Sequence, residues 1–233
     1  MSWRIEQADA LTLMRELPDR WAQTCIARPP RAGDHDRTLA ILTEARRVLR
    51  DDGTLWVLLA PDQLPLATEL RAEGWTQQSS PQWATRRTAC ERGGATRLFL
   101  FTKEYRYFYD AHTIDARSRP SSPLCVSASR QARRAQSCLP AREHEHRLKL
   151  IKRCIRAGSS LLACGECGAP YRRARPGENA PGIRRPTCRH NSPGGCCLVL
   201  DPFYDPAGIP TAEAALCTGR SFLGIADPAG ESR

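Results

Sequence analysis

Two groups of residues in this chain have types and spacings that can do chemistry. The first is Cys164-Gly165-Glu166-Cys167-Gly168, followed by Cys188-Arg189-His190 and Cys196-Cys197. A Cys-x-x-Cys pair with glycine next turns tightly enough to aim two thiolates at one ion, and a second pair closes a tetrahedral zinc site. Cys164, Cys167, Cys188 and His190 are the expected ligands, with Cys196 or Cys197 as alternatives to His190. The competing reading is reduced, buried thiols without metal. Zinc is preferred because the stretch between the pairs is too polar to form its own core and needs a staple. The second group is Leu198 to Pro228, LVLDPFYDPAGIPTAEAALCTGRSFLGIADP. It reads as a buried strand, an acidic turn, a small-residue helix and a second strand. In open α/β sheets, small ligands bind at the carboxyl ends of such strands.

The elements that must position these groups precede them. Strands are expected at Trp3 to Glu6, Thr24 to Ala27, Thr54 to Leu59 and Arg97 to Thr102. The last two, TLWVLL and RLFLFT, are unbroken apolar runs, as strands covered on both faces require. Helices are expected at Ala10 to Glu16, around Leu39 to Leu49, at Gln63 to Glu73 and at His146 to Ala157. In the second of these, Leu39, Leu42, Ala45, Val48 and Leu49 share a face, and Asp51-Asp52-Gly53 is a turn that ends it. Strands alternating with helices predict an α/β fold with a doubly wound, mostly parallel, Rossmann-like sheet and a small cysteine-rich insert. Residues 111–145 are rich in Ser and Arg without apolar periodicity and read as a mobile basic loop.

The charge balance is 35 Lys+Arg against 25 Asp+Glu, a formal net charge of +10. An excess of this size favours a polyanionic partner, since each phosphate neutralised releases a counterion. A basic surface that serves only solubility is the competing reading. No segment approaches the apolar length of a membrane span, and no leader is visible, so a cytoplasmic location is expected, at the nucleoid if DNA is bound. His35, His112, His144 and His146 have no partner spacing that marks a catalytic base.

Five collinear segments resemble the beta-type DNA amino-methyltransferases: Glu6 to Pro30, Ile41 to Leu59, Ala95 to Asp110, His146 to Ser160 and Val199 to Ile225. The resemblance implies a seven-stranded, mostly parallel sheet, S-adenosylmethionine as cofactor, and transfer of methyl to an exocyclic amino group of adenine or cytosine in DNA. It divides the chain into a catalytic half (1–110), a basic variable loop (111–145), a linking helix (146–160), a zinc-ribbon-like insert (161–197) and a cofactor half (198–233) that stops before the family's next helix. Arg28-Pro29-Pro30-Arg31 falls at the family's catalytic loop. The cofactor residues implied are Asp9, Asp201, Pro202, Phe203, Gly208, Thr211 and Asp227, although Ala226 aligns better than Asp227 with the family's ribose-binding acid.

The family's catalytic loop has a polar acceptor, two prolines and an aromatic residue. The acceptor and a prolyl carbonyl take hydrogen bonds from the target amine, and the ring stacks on the flipped base. Here both prolines stand, but Arg28 donates and cannot accept, and a fixed cation sits badly beside a sulfonium. Arg31 still offers a planar guanidinium for stacking. Asp34 and Asp36 are nearby acids that no spacing compels. The cofactor loop gains Pro206 and Pro210, keeps Gly208 and Thr211, and is about two residues longer than the family's. Weak cofactor binding and no methyl transfer are therefore expected. The alternative to an enzyme is an inactive member of the family that binds DNA or another partner.

Overall fold

A computed structural model describes residues 2–31, 33–78, 96–111, 141–174, 184–190, 192–206, 208 and 210–228, without the side chains of 141–143. The first elements are β1 (Trp3–Gln7), α1 (Ala10–Glu16), β2 (Ala22–Ala27), α2 (His35–Val48) and β3 (Leu49–Leu59). A 3-10 turn (Pro61–Gln63), α3 (Pro65–Ala72), β4 (Thr76–Gln77) and β5 (Arg97–Thr102) follow. Next come α4 (Ala141–Gly158) and four short strands, β6 (Ala163–Cys164), β7 (Tyr171–Arg173), β8 (Arg184–Pro186) and β9 (Pro193–Gly195). The last elements are β10 (Leu198–Asp201), α5 (Thr211–Thr218) and β11 (Ser221–Ala226).

Seven strands form one sheet in the order β1-β11-β10-β2-β3-β5-β4. β1, β11, β10, β2 and β3 pair in parallel, and β5 runs against both its neighbours. Side chains alternate between the faces, so each apolar run feeds two cores. Cys25, Leu55, Val57, Phe99, Phe101, Leu200 and Leu223 meet Met14 of α1, Ile41 and Leu42 of α2, and Leu66 and Leu70 of α3. Ile26, Trp56, Leu58, Leu100, Val199 and Phe222 meet Leu148, Ile151 and Ile155 of α4 and Ala212, Ala214 and Ala215 of α5. This is the doubly wound α/β architecture that the alternation of elements predicts.

Two expected boundaries move. Asp51-Asp52-Gly53 does not separate helix from strand, because α2 passes into β3 at Leu49. Ala22 pairs with Leu49 and Thr24 with Thr54, so the acidic turn is a bulge inside β3. The helix expected from His146 begins at Ala141, and residues 112–140 of the basic loop lie outside the described residues.

The insert is two small ribbons, β6 with β9 and β7 with β8. Its own apolar cluster is small: Cys164, Ala169 and Tyr171, with Cys167 and Cys188 against them. Arginines tie it to the sheet domain. Arg50 of β3 donates to the Cys167 carbonyl at 2.5 Å, Arg173 to Asp110 at 3.0 Å and Arg184 to Ser160 at 3.1 Å. Among the described residues, no helix is long and apolar enough to cross a membrane.

Candidate functional site

Because β1, β11, β10 and β2 are parallel, their carboxyl ends lie along one edge, and the chain leaves β10 and β2 in opposite directions. Such a switch point opens a crevice in doubly wound sheets. A cleft of about 430 Å³ lies there, within the usual size of small-molecule sites. Arg28, Pro29, Pro30 and Arg31 after β2 form one wall, with Asp34, Arg37 and Ile41 of the following segment. Phe203, Tyr204, Asp205 and Gly208 after β10, and Ala226 and Asp227 after β11, form the other.

The structure thus brings together all four residues of the expected catalytic loop and three of the expected cofactor residues, Phe203, Gly208 and Asp227. The other four do not line the cleft. Asp9 caps α1 by accepting the Thr12 amide at 2.7 Å. Asp201, Pro202 and Thr211 are buried beneath the loop. Asp201 accepts the Phe203 amide through Oδ1 at 3.2 Å. Its Oδ2 and the Thr211 hydroxyl are buried and close, without a well-formed hydrogen bond. Burial raises the Asp201 pKa to about 7, against the pull of Thr211 and the Phe203 amide. Gly208 closes a tight turn by donating to the Asp205 carbonyl at 3.0 Å, and a Cβ there would stand 2.8 Å from the Asp205 carboxylate. A side chain at this place would have to push the Asp205 side chain aside.

Two residues that sequence reasoning missed govern the acceptors around the cleft. Arg37 Nη2 donates to Asp9 Oδ2 at 2.5 Å and to Asp227 Oδ2 at 2.6 Å. Asp227 Oδ2 also accepts the Ala10 amide at 3.1 Å. The Thr12 amide and hydroxyl, together with Arg37, hold the Asp9 carboxyl at about 2, and the two acids raise the Arg37 pKa. Gln63 Nε2 donates to the carbonyls of Pro29 and Pro30 at 3.2 and 2.9 Å, while its Oε1 takes the Ala60 amide at 3.1 Å. One signal for Arg37 was present in the sequence. It stands in the first turn of α2, where the helix dipole disfavours a cation, so a partner outside the helix was required. Nothing in the sequence marks Gln63.

The second site is the cysteine cluster. Ligand atoms of Cys164, Cys167, Cys188 and His190 all lie within 4.8 Å of one another. An ion with bonds of about 2.0–2.3 Å reaches such a spacing through small side-chain movements. Gly168 makes the knuckle possible at φ 68°, and its amide returns to the Cys164 carbonyl at 2.9 Å. Amides of Cys167 and Glu166 lower the Cys164 thiol pKa to about 7, the Cys167 amide contributing most. The alternative ligands are elsewhere: Cys196 Sγ lies 3.0 Å from the Ser221 hydroxyl, and Cys197 is buried at the start of β10. Among the expected structural histidines, His144 pairs with buried Glu213 at 2.8 Å and His35 with Glu69 at 2.5 Å. His112 lies outside the described residues.

The doubly wound seven-stranded sheet, with one reversed strand and a cleft at its switch point, matches the fold of solved DNA methyltransferases. Within that fold, the chain is similar in sequence to type II DNA methyltransferases. A type II methyltransferase of Xanthomonas campestris pv. cyanopsidis, M.XycI, is 28% identical over a 166-residue alignment covering 45% of this chain and 55% of that protein. M.Cfr9I of Citrobacter freundii is 27% identical over 170 residues, 46% of this chain and 57% of that protein. The chain thus spans little more than half the length of these curated relatives. Among solved structures, a Thermus thermophilus protein, TTHA0409, described as a putative DNA modification methylase complexed with S-adenosyl-L-methionine, superposes with a TM-score of 0.55. That match covers 96% of this chain and 89% of that one, at 17% identity. No family model matches the chain.

Proposed function

We propose that this chain is a DNA methyltransferase-like protein whose cleft takes S-adenosylmethionine and an amino-bearing base of DNA. The observation that supports this is the meeting of the loops after β2, β10 and β11 in one cleft, with the Asp227 carboxylate on its wall. The residues fit the nucleoside end of the cofactor. Asp227 is a carboxylate at a strand end, where ribose hydroxyls are taken in such folds. Phe203 and Ile41 supply apolar surface for a ring, and the Gly208 turn keeps the loop close. Asp201, Pro202 and Thr211 support this loop from beneath, and Asp9 braces Asp227 through Arg37. The bound cofactor would supply an electrophilic methyl group on a positively charged sulfur.

The chain's own part in transfer is to hold the amine. The Pro29 and Pro30 carbonyls each have a second lone pair beside the bond from Gln63, and an amine can donate to it. Arg31 offers a stacking plane for the base, and the net charge of +10 favours the DNA backbone. Arg28 contributes no acceptor. That residue, with Gln63 already on both prolyl carbonyls, favours a second reading: a DNA-binding member of the family that does not transfer methyl groups.

Titration calorimetry with S-adenosylmethionine tests the cleft. Binding weaker than micromolar is expected, and no saturable heat up to millimolar ligand would remove the cofactor reading. Transfer of radiolabelled methyl to DNA separates the two readings. Label that disappears in Pro29→Ala establishes the enzyme; no label, with DNA still bound, leaves the binding member. The same proposal keeps the halves at 1–110 and 198–233, joined through the basic loop and linking helix, with residues 161–197 as an insert stapled by zinc on Cys164, Cys167, Cys188 and His190. Metal analysis of the purified protein is expected to find about one equivalent of zinc, and less than about half an equivalent counts against it.

A further inference from the structure

The cleft's affinity for its ligand has a candidate controller in Arg37, an inference that rests on the cofactor reading above. Arg37 leaves α2, on the β2 side of the cleft, and its guanidinium reaches Asp9 after β1 and Asp227 after β11. We propose that Arg37 sets the affinity of the cleft for adenosine-type ligands by occupying the carboxylate that a ribose diol must reach.

The chemistry is a competition between donors. A diol binds a carboxylate by donating to it, and Asp227 Oδ2 already accepts two bonds, one from Arg37 and one from the Ala10 amide. Bonds between a guanidinium and a carboxylate are among the stronger hydrogen bonds in proteins. The site is also sheltered, because the Asp227 side chain is 10% exposed and that of Arg37 28%. Water therefore weakens the pair less than it weakens a surface ion pair. Asp9 retains Arg37 after Asp227 is released, so the ligand displaces one of two bonds and not the whole side chain. The penalty is therefore moderate, and it falls on every ligand with a free diol, whatever its sulfur substituent.

The test uses calorimetry on the full chain with adenosine, S-adenosylmethionine and 2′,3′-dideoxyadenosine. Arg37→Gln, which keeps side-chain length and loses the charge, is expected to bind the first two roughly tenfold more tightly, about the effect of one charge-assisted bond in a half-sheltered site. The dideoxy ligand is expected to gain nothing, because it has no diol to place. Arg37→Lys, a point charge that retains the attraction, is expected to fall between. Unchanged or weaker adenosine binding in Arg37→Gln overturns the inference alone and makes Arg37 a positioning residue for Asp227. An equal gain for the dideoxy ligand also overturns it. No binding by any variant removes the cofactor reading, and the inference with it.

Discussion

The cleft and the cysteine cluster both gather polar groups, and they do so in opposite ways. In the cleft, opposite partners have already closed on each other. Arg37 holds Asp9 and Asp227, and Gln63 holds the carbonyls of Pro29 and Pro30. In the cluster, four groups that all act as metal donors crowd within 4.8 Å, on an insert whose own core, among the described residues, is Cys164, Ala169 and Tyr171. Groups of one kind repel or gain little from each other, so their convergence calls for a cation from outside. Groups of opposite kind satisfy each other, so their convergence raises the cost for an outside ligand. The same chain is therefore expected to hold metal tightly and nucleoside weakly.

The largest effect that tests this contrast is removal of the proposed zinc. Structural zinc contributes on the order of 10 kcal/mol to the folding of small zinc-dependent units. Here the arginine ties to the sheet domain retain some of the insert without it. Chelation, or Cys164→Ser, is expected to open residues 161–197 to limited proteolysis while the main unfolding transition of the sheet survives. Equal proteolysis with and without metal would break the contrast, because the cluster would then be a set of structural thiols.

The difference between the two sites also explains what could be read in the sequence. The meeting of these four side chains was legible because they come in near pairs, Cys164 with Cys167 and Cys188 with His190, and pair spacing survives in a linear string. The sheet was legible for a similar reason: TLWVLL and RLFLFT are runs whose burial on two faces is a local property. Strand direction is not local, and nothing in RLFLFT says that β5 runs against β3. The contents of the cleft are less local still. Arg37 and Asp227 stand 190 residues apart, and Gln63 and Pro30 stand 33 apart. Asp9 reads as a ligand by resemblance, and in the structure it caps α1, a role its place in front of Ala10-Leu11-Thr12 allows and the sequence reading did not consider. The acidic bulge of β3 was missed because Asp-Asp-Gly reads alike at a helix end and inside a strand.

A smaller effect tests whether the cofactor loop is satisfied within itself. Asp201 has a pKa of about 7 in the folded chain against an ordinary value of 3.8, chiefly through burial. A raised carboxyl stabilises the fold when protonated. Its contribution is complete below the ordinary value and is lost as pH rises toward about 7, after which it is flat. Asp201→Asn keeps an oxygen for the Phe203 amide and cannot ionise. Its advantage over the wild type should be small near pH 4 and grow to about 2–4 kcal/mol by pH 8. Thermal unfolding at the two pH values reads this directly. A gap that shrinks as pH rises would mean that the carboxylate is paired after all, and that the cofactor loop resembles the Arg37 side of the cleft.

The smallest effect lies at the joint between the two sites. Arg50 belongs to the bulge of β3, and its guanidinium reaches Cys167 O at 2.5 Å and Asp52 Oδ1 at 3.3 Å. It is the sheet domain's direct hold on the knuckle that carries two of the metal donors. With zinc bound, the knuckle has a second source of order, so losing Arg50 removes one hydrogen bond from a structure that is already fixed. Arg50→Gln is expected to lower stability by about 1 kcal/mol in the zinc-loaded protein. In the chelated protein the same substitution should speed proteolysis of 161–197 well beyond chelation alone, because the tie and the ion then fail together. If the two changes simply add, the sheet domain and the cluster are independent. If Arg50→Gln alone exposes the insert as fully as Cys164→Ser does, the ion contributes little, and the cluster belongs with the cleft as a site satisfied by its own chain.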